Sequence, residues 1–264
     1  MDCTRGSKPM STDAPIIDAY THCGLSKYTP IEDVRATMEA AGVERAVLAQ
    51  HLGEFDNRYL ADVVAADPEH LAGVCMVDHA SPASSGDLRA CRDAGFKGVR
   101  YPSDVLKDAP HLFDEAAALG LILVLYLPDG IAGVVEDLGK FLKRCPSARV
   151  VLTHLANPDL SVDPKLEACR RQLELAEFEG VFVQVSAMKM FSDYPHEVLY
   201  GLVGDVAERF GTSRVLWGSN YPVVGDVEDY RRDLQMLLDG KLPVPKEAIP
   251  AIAGGNAGRL WFGD

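Results

Sequence analysis

The sequence lacks any apolar run near the ~20 residues that a membrane helix needs, so no membrane partner is expected. It is also short of positive charge. Its 26 Lys and Arg stand against 39 Asp and Glu, a net charge of −13. An acidic surface repels phosphate backbones and anionic lipid, so nucleic acid is not an expected partner either. The six cysteines include no C-x-x-C pair and no zinc-knuckle spacing. They fit a reduced, cytoplasmic protein without structural disulfides. No G-x-G-x-x-G follows the first strand-like run, which weakens the dinucleotide-binding version of an open sheet. Residues 1–14 contain no apolar stretch of secretory type and read as a flexible leader. Residues 15–264 read as a single domain.

What the chain does have is one pattern repeated eight times. A short apolar run is followed by a loop and then by an amphipathic stretch. The runs are Ile16–Tyr20, Ala46–Gln50, Ala72–Val77, Lys97–Arg100, Leu121–Leu127, Val150–His154, Val181–Val185 and Val215–Ser219. Their starts lie 24 to 34 residues apart, the length of one strand, one helix and two loops. Runs such as LILVLYL are apolar throughout, as strands buried on both faces must be. Helices are expected over Ile31–Ala41, Lys165–Phe178, Val198–Phe210 and Val227–Leu238. Pro30 suits the start of the first and Gly42 its end. Eight such units predict an α/β fold, the (β/α)8 TIM barrel.

In a barrel the C-terminal ends of the strands converge on one face, and chemistry is expected there. The polar residues that end each run therefore belong together. Strand one ends in IDAYTHCG, where Asp18, Tyr20 and His22 alternate and so are expected on one side. Strand two ends at Gln50 and His51, and strand four at Arg100. Strand five ends at Tyr126 with Asp129 beyond it, strand six at His154, and strand eight at Ser219, Asn220 and Tyr221.

Here a resemblance enters. The segments IDAYTHCG, VERAVLAQ, GFKGVR, THLANP, VLWGSNYP and the closing AGGNAGRLW resemble the amidohydrolase-related family, the branch of lactonases and metal-dependent decarboxylases. The likeness runs from about Ile16 to Phe262. Family members usually carry D-x-H-x-H on strand one; this chain has Tyr20 in place of the first histidine. A histidine often follows strand five; here the residues are Tyr126, Leu127, Pro128 and Asp129. The usual strand-eight aspartate is Asn220. A zinc site wants at least three good donors. His22 and His154 are two, Asn220 is a poor ligand, and a phenol binds only when deprotonated. The expected cofactor is therefore none, or a weakly held divalent metal, zinc first, on His22 and His154.

The resemblance implies a hydrolase that attacks a small carboxylated lactone, ester or amide with water. In that reading His22, Tyr20, His154 and Asn220 are catalytic. His22 and Tyr20 polarise the carbonyl, and His154 takes the proton. Arg100 clamps a substrate carboxylate, with Tyr126, His51 and Met188 lining the substrate. Met188, Met190, Phe191 and Tyr194 follow strand seven and could wall an apolar pocket. Each residue also has a plainer reading. The histidines can be hydrogen-bonded core residues, Arg100 a rim salt bridge, Asn220 a turn amide and Met188 loop packing. Asp18 reads as structural, Asp104 and Asp129 as solvated rim carboxylates, and Cys23 as a poor nucleophile beside His22. Two other functions stay open. One is a metal-dependent decarboxylase of an aromatic or unsaturated acid. The other is a barrel that has lost its chemistry and now binds a ligand. A homo-oligomer is compatible with the sequence.

Overall fold

The computed structural model describes residues 14–264, so residues 1–13 of the expected leader lie outside the described residues. Eight parallel strands follow in sequence order: β1 (Ile17–Thr21), β2 (Arg45–Ala49), β3 (Leu71–Cys75), β4 (Gly98–Pro102), β5 (Ile122–Tyr126), β6 (Val150–Leu152), β7 (Val181–Ser186) and β8 (Val215–Gly218). Each hydrogen-bonds to the next, from β1 through β8. The ring is joined between β8 and β1 by two main-chain bonds, Asn220 N–H to Tyr20 O (2.8 Å) and His22 N–H to Tyr221 O (2.9 Å). This is the (β/α)8 barrel that the spacing of apolar runs predicts.

Two apolar layers result. Inside the barrel lie Ile17, Ala19, Val47, Ala49, Ala72, Val74, Ile122, Val124, Val151 and Leu216. Outside it a larger cluster fills the space between strands and helices. Alternate strand residues feed the two layers, which is why the runs are apolar on both faces. The C-terminal segment plugs the bottom of the barrel with Leu260 and Trp261. Gly98 makes room for that plug: a Cβ there would stand 2.7 Å from Ile122 O and 3.0 Å from the Trp261 ring.

The helices Ile31–Ala41 and Val227–Leu238 form as expected, the second opened by a capping box between Asp226 and Asp229. The expected helix Val198–Phe210 runs Tyr200–Phe210 after a tighter turn, Glu197–Leu199. The expected Lys165–Phe178 helix is broken into Glu167–Arg170 and a tighter turn over Arg171–Glu177. No described helix is long and apolar enough to cross a membrane.

Candidate active site

Strand β1 does not alternate as expected. Its register against β2 shifts between Asp18 and Thr21, a bulge. The extra residue puts Tyr20 and Ala19 both in the inner cluster. Asp18 instead turns outward. Its carboxylate accepts from Ser219 N–H (2.8 Å), Ser219 Oγ (2.5 Å), Tyr20 N–H (3.1 Å) and Tyr230 Oη (2.9 Å), the last on the outer helix Val227–Leu238. The expectation that Asp18 shares a side with Tyr20 and His22 is thus corrected. Its plainer, structural reading stands: Asp18 clasps the β1–β8 seam.

Around Tyr20 the strand ends meet. Its ring lies 5.0 Å edge-on from the His22 ring and 5.0 Å from the His154 ring. The Arg100 guanidinium sits 5.7 Å from the Tyr20 ring and 5.3 Å from the Tyr126 ring. Arg100 is 6% exposed and donates to Gln50 O at 2.9 Å. Among the described residues no carboxylate lies within ion-pair reach of Arg100, and its Nε has no partner. Tyr20 Oη is likewise buried and unpartnered. The rim salt-bridge reading of Arg100 is not what the geometry gives.

The histidines are held neutral. Burial, with Arg100 second, pushes His22 down to about 3 and His154 well below the usual imidazole range. Burial pushes the Tyr20 phenol up to about 12, so it stays protonated. His22 Nδ1 meets Ala49 O at 2.6 Å. A carbonyl only accepts, so Nδ1 carries the proton and Nε2 of the neutral ring is an acceptor. Nε2 lies 3.1 Å from Asn220 Oδ1, while Asn220 Nδ2 donates to Met190 Sδ at 3.3 Å. With His22 neutral, two acceptors would face each other, so the amide must turn over to present its NH2 edge to Nε2. His22 is therefore fixed as an acceptor, which revises the expectation that it donates to a substrate carbonyl.

His154 is aimed by an unusual turn. His154, Leu155, Ala156 and Asn157 have φ of 55°, 54°, 60° and 60°, a left-handed turn without glycine. Such a conformation costs about 1–2 kcal/mol per residue. Buried Gln172 holds it through Leu155 O (2.9 Å). The turn brings His154 Nδ1 to 2.7 Å from Ser186 Oγ, at the end of β7. This also explains why β6 stops at Leu152, short of the expected His154. Asn220 leaves β8 through a left-handed residue too (φ 57°).

Of the residues expected to line substrate, Tyr126 stands beside Arg100 and His51 lies at the rim, edge-on to Tyr28 at 5.4 Å. Met188 is buried in the outer apolar cluster, whereas Met190 is the methionine that reaches Asn220. Asp104 accepts from Val105 N–H at the head of a short helix, and Asp129 lines a separate cleft with Pro158 and Asp163. Burial pushes the Cys23 thiol up to about 12, unfavourable for a nucleophile. Tyr28 was not anticipated. It stacks on His22 at 4.8 Å with 20° between planes. Its only sequence signal was its place in the loop after β1. Ser186 and Gln172 were missed as ordinary polar residues with no motif, whereas Gln50 was read as the end of strand two.

The amidohydrolase family model matches residues 15–263, nearly the whole chain. This chain belongs to the amidohydrolase family. Among its relatives is an L-fucono-1,5-lactonase of Burkholderia ambifaria, 29% identical over 213 residues, covering 75% of this chain and 73% of that protein. Two solved amidohydrolase barrels superpose on it. One is a probable 2-pyrone-4,6-dicarboxylic acid hydrolase from Acinetobacter baumannii with citric acid bound (TM-score 0.76, 17% identity, 94% of this chain and 99% of that one). The other is an amidohydrolase from Burkholderia multivorans with bound zinc (TM-score 0.75, 17% identity, 94% and 99%). At such identities the likeness establishes the shared fold.

The donor set does not fit the metal centre of a typical amidohydrolase. Among the described residues no three His, Cys, Asp or Glu side chains form a metal-binding group. His22 and His154 are the two nitrogen donors, and the oxygens around them are a main-chain carbonyl, a serine hydroxyl, a neutral amide and a phenol held protonated. Arg100 adds a fixed positive charge beside them.

Proposed function

We propose that this amidohydrolase opens a small carboxylated lactone, or a related ester or amide, by attack of water on its carbonyl. Arg100 carries the reading. A buried guanidinium with a single main-chain bond, no ion-pair partner among the described residues and a free Nε is costly until an anion completes it. A substrate carboxylate does so in a planar, two-bond geometry. The ring-opening names of the lactonase relative and the pyrone hydrolase barrel support the same substrate class.

The roles follow from which atoms give and which accept. His22 Nε2 is the acceptor, so His22 is the base that takes a proton from the attacking water and returns it to the leaving ring oxygen as the C–O bond breaks. Tyr20 Oη is a free donor and faces the developing oxyanion. His154 joins it as donor through Nε2–H, in the tautomer where Ser186 donates to Nδ1. Asn220 fixes the His22 ring in the free site and gives up its bond to Nε2 when the attacking water takes that place. A base near 3 is too weak at neutral pH, but part of that depression comes from Arg100. A carboxylate bound on Arg100 cancels its field, and both imidazoles become more basic. Binding of the correct substrate therefore raises the base toward its working range.

The test is turnover of a panel of carboxylated lactones by wild type, Arg100→Gln and His22→Ala. Loss of carboxylate preference in the first and of turnover in the second is expected. Unchanged kinetics in both would overturn the proposal. Elemental analysis of protein purified without chelator tests the added possibility of a divalent ion held weakly on His22 and His154. The reaction above routes no step through it.

A further inference from the structure

The barrel's other end carries a feature that runs against the charge of the chain. At the N-terminal ends of the strands lies a cleft of about 560 Å3, walled by Arg92, Lys97, Arg149 and Arg259 and floored by Trp261 and Phe262. Four cations face one lining acid, Asp93, in a protein of net charge −13. Among the described residues Lys97, Arg149 and Arg259 have no ion pair. Arg149 donates to Gly120 O (3.0 Å) and Arg259 to Asn256 Oδ1 (2.5 Å), while Arg92 reaches Asp93 only at 3.9 Å.

The backbone fixes their spacing. Ile122 N–H bonds to Lys97 O and Leu123 N–H bonds to Arg149 O. Lys97 and Arg149 thus head β4 and β6, with β5 between them. Two strand spacings put their main chains roughly 10 Å apart. Long cationic side chains at that distance close on an anion with two charged ends, not on a single small ion. The floor is aromatic, with Trp261 3% exposed.

We infer that this cleft, opposite the proposed catalytic face, is a second binding site, for a small multivalent anion bearing phosphate or several carboxylates. A patch that repels its neighbours costs stability unless something fills it. The surrounding acidic surface keeps larger polyanions away, while a small anion fits inside the basic wall.

Calorimetric titration at low ionic strength tests it, with pyrophosphate as the phosphate probe, citrate as the carboxylate probe, and sodium chloride matched in ionic strength as control. Fluorescence quenching in a Trp217→Phe variant, which leaves Trp261 as the one tryptophan of the sequence, gives a second readout. Either probe is expected to bind wild type, and which one binds tighter names the chemistry. The double variant Lys97→Gln with Arg149→Gln should bind at least about tenfold more weakly, since each charge-assisted bond is worth about 1.5–3 kcal/mol. Both residues are exposed, so the variant should fold with a thermal midpoint no lower than that of wild type and keep its lactone turnover. Heat no greater than the chloride control overturns the inference. So does binding that survives the double variant but is lost in Arg100→Gln, which would place the anion at the catalytic face instead.

Discussion

The clasp at the β1–β8 seam makes a quantitative prediction. Asp18 is fully buried, and burial raises its titration from 3.8 to about 6 even though four donors oppose the rise. The folded protein therefore holds this proton to higher pH than the unfolded chain does. Between about pH 4 and 6 the folded state binds more protons, so folding stability falls as pH rises through that window. At ~1.4 kcal/mol per pH unit the fall is about 3 kcal/mol, and it levels off above pH 6. Asp18→Asn removes the titration but keeps the shape. Its Oδ1 can still accept from Tyr20 N–H and Ser219 N–H. Its NH2 meets two hydroxyls, Ser219 Oγ and Tyr230 Oη, that can rotate to accept. Urea unfolding of both proteins from pH 4 to 8 checks this. The stability of wild type minus that of Asp18→Asn should drop by up to about 3 kcal/mol across pH 4 to 6. Parallel curves would refute the claim that the carboxylate is held in a desolvated clasp.

Other outcomes follow from the same geometry. Arg100→Gln should raise KM for a carboxylated lactone roughly a hundredfold, and Arg100→Lys should rescue it only in part, because an ammonium cannot make the planar pair; steady-state kinetics decide. Tyr20→Phe should lower kcat by about a hundred- to a thousandfold, on the order of one lost oxyanion donor. It should leave the thermal midpoint unchanged, because Oη has no partner to lose. Asn220→Asp should stabilise the His22 imidazolium and raise His22 from about 3. The unprotonated ring is the active form, so the acid limb of kcat/KM should move to higher pH; a limb that stays put would refute His22 as the base. Gln172→Ala should release the left-handed turn at His154 and lower both stability, by about 1–3 kcal/mol, and kcat.

The barrel was legible because its signal is redundant. Eight apolar runs at one pitch have few other solutions, and errors at single ends do not change the topology. The gathering of Tyr20, His22, Arg100, Tyr126, His154 and Asn220 was legible for the same reason, since each ends a strand. What stayed hidden depended on single residues breaking local rules. The β1 bulge leaves no mark in IDAYT, yet it turns Asp18 outward. The left-handed turn uses His, Leu, Ala and Asn, three of which rarely adopt that conformation. It is held by tertiary bonds to Leu155 O from Gln172 and Cys169, which no local pattern reports. Tyr28 and Met190 come from loops, where composition says little about direction. The sequence also could not assign donors and acceptors. That needed Ala49 O, a main-chain atom present at every position and informative only once its distance to His22 is known.

Arg100 links the altered ligand set to a workable site. A divalent ion close to a guanidinium is repelled by several kcal/mol at an effective dielectric of ~20. A buried arginine among the strand ends therefore competes with a metal for the same region. Replacement of a histidine by Tyr20 and of an aspartate by Asn220 moves the site in one direction. Both changes remove donors that would favour a cation, and Tyr20 adds a proton donor. The result is a site whose one buried charge, on Arg100, is positive and whose other groups are neutral. In the proposed reaction such a site would attract a single carboxylate, its imidazoles would become more basic on binding, and hydrogen bonds would oppose the carbonyl charge.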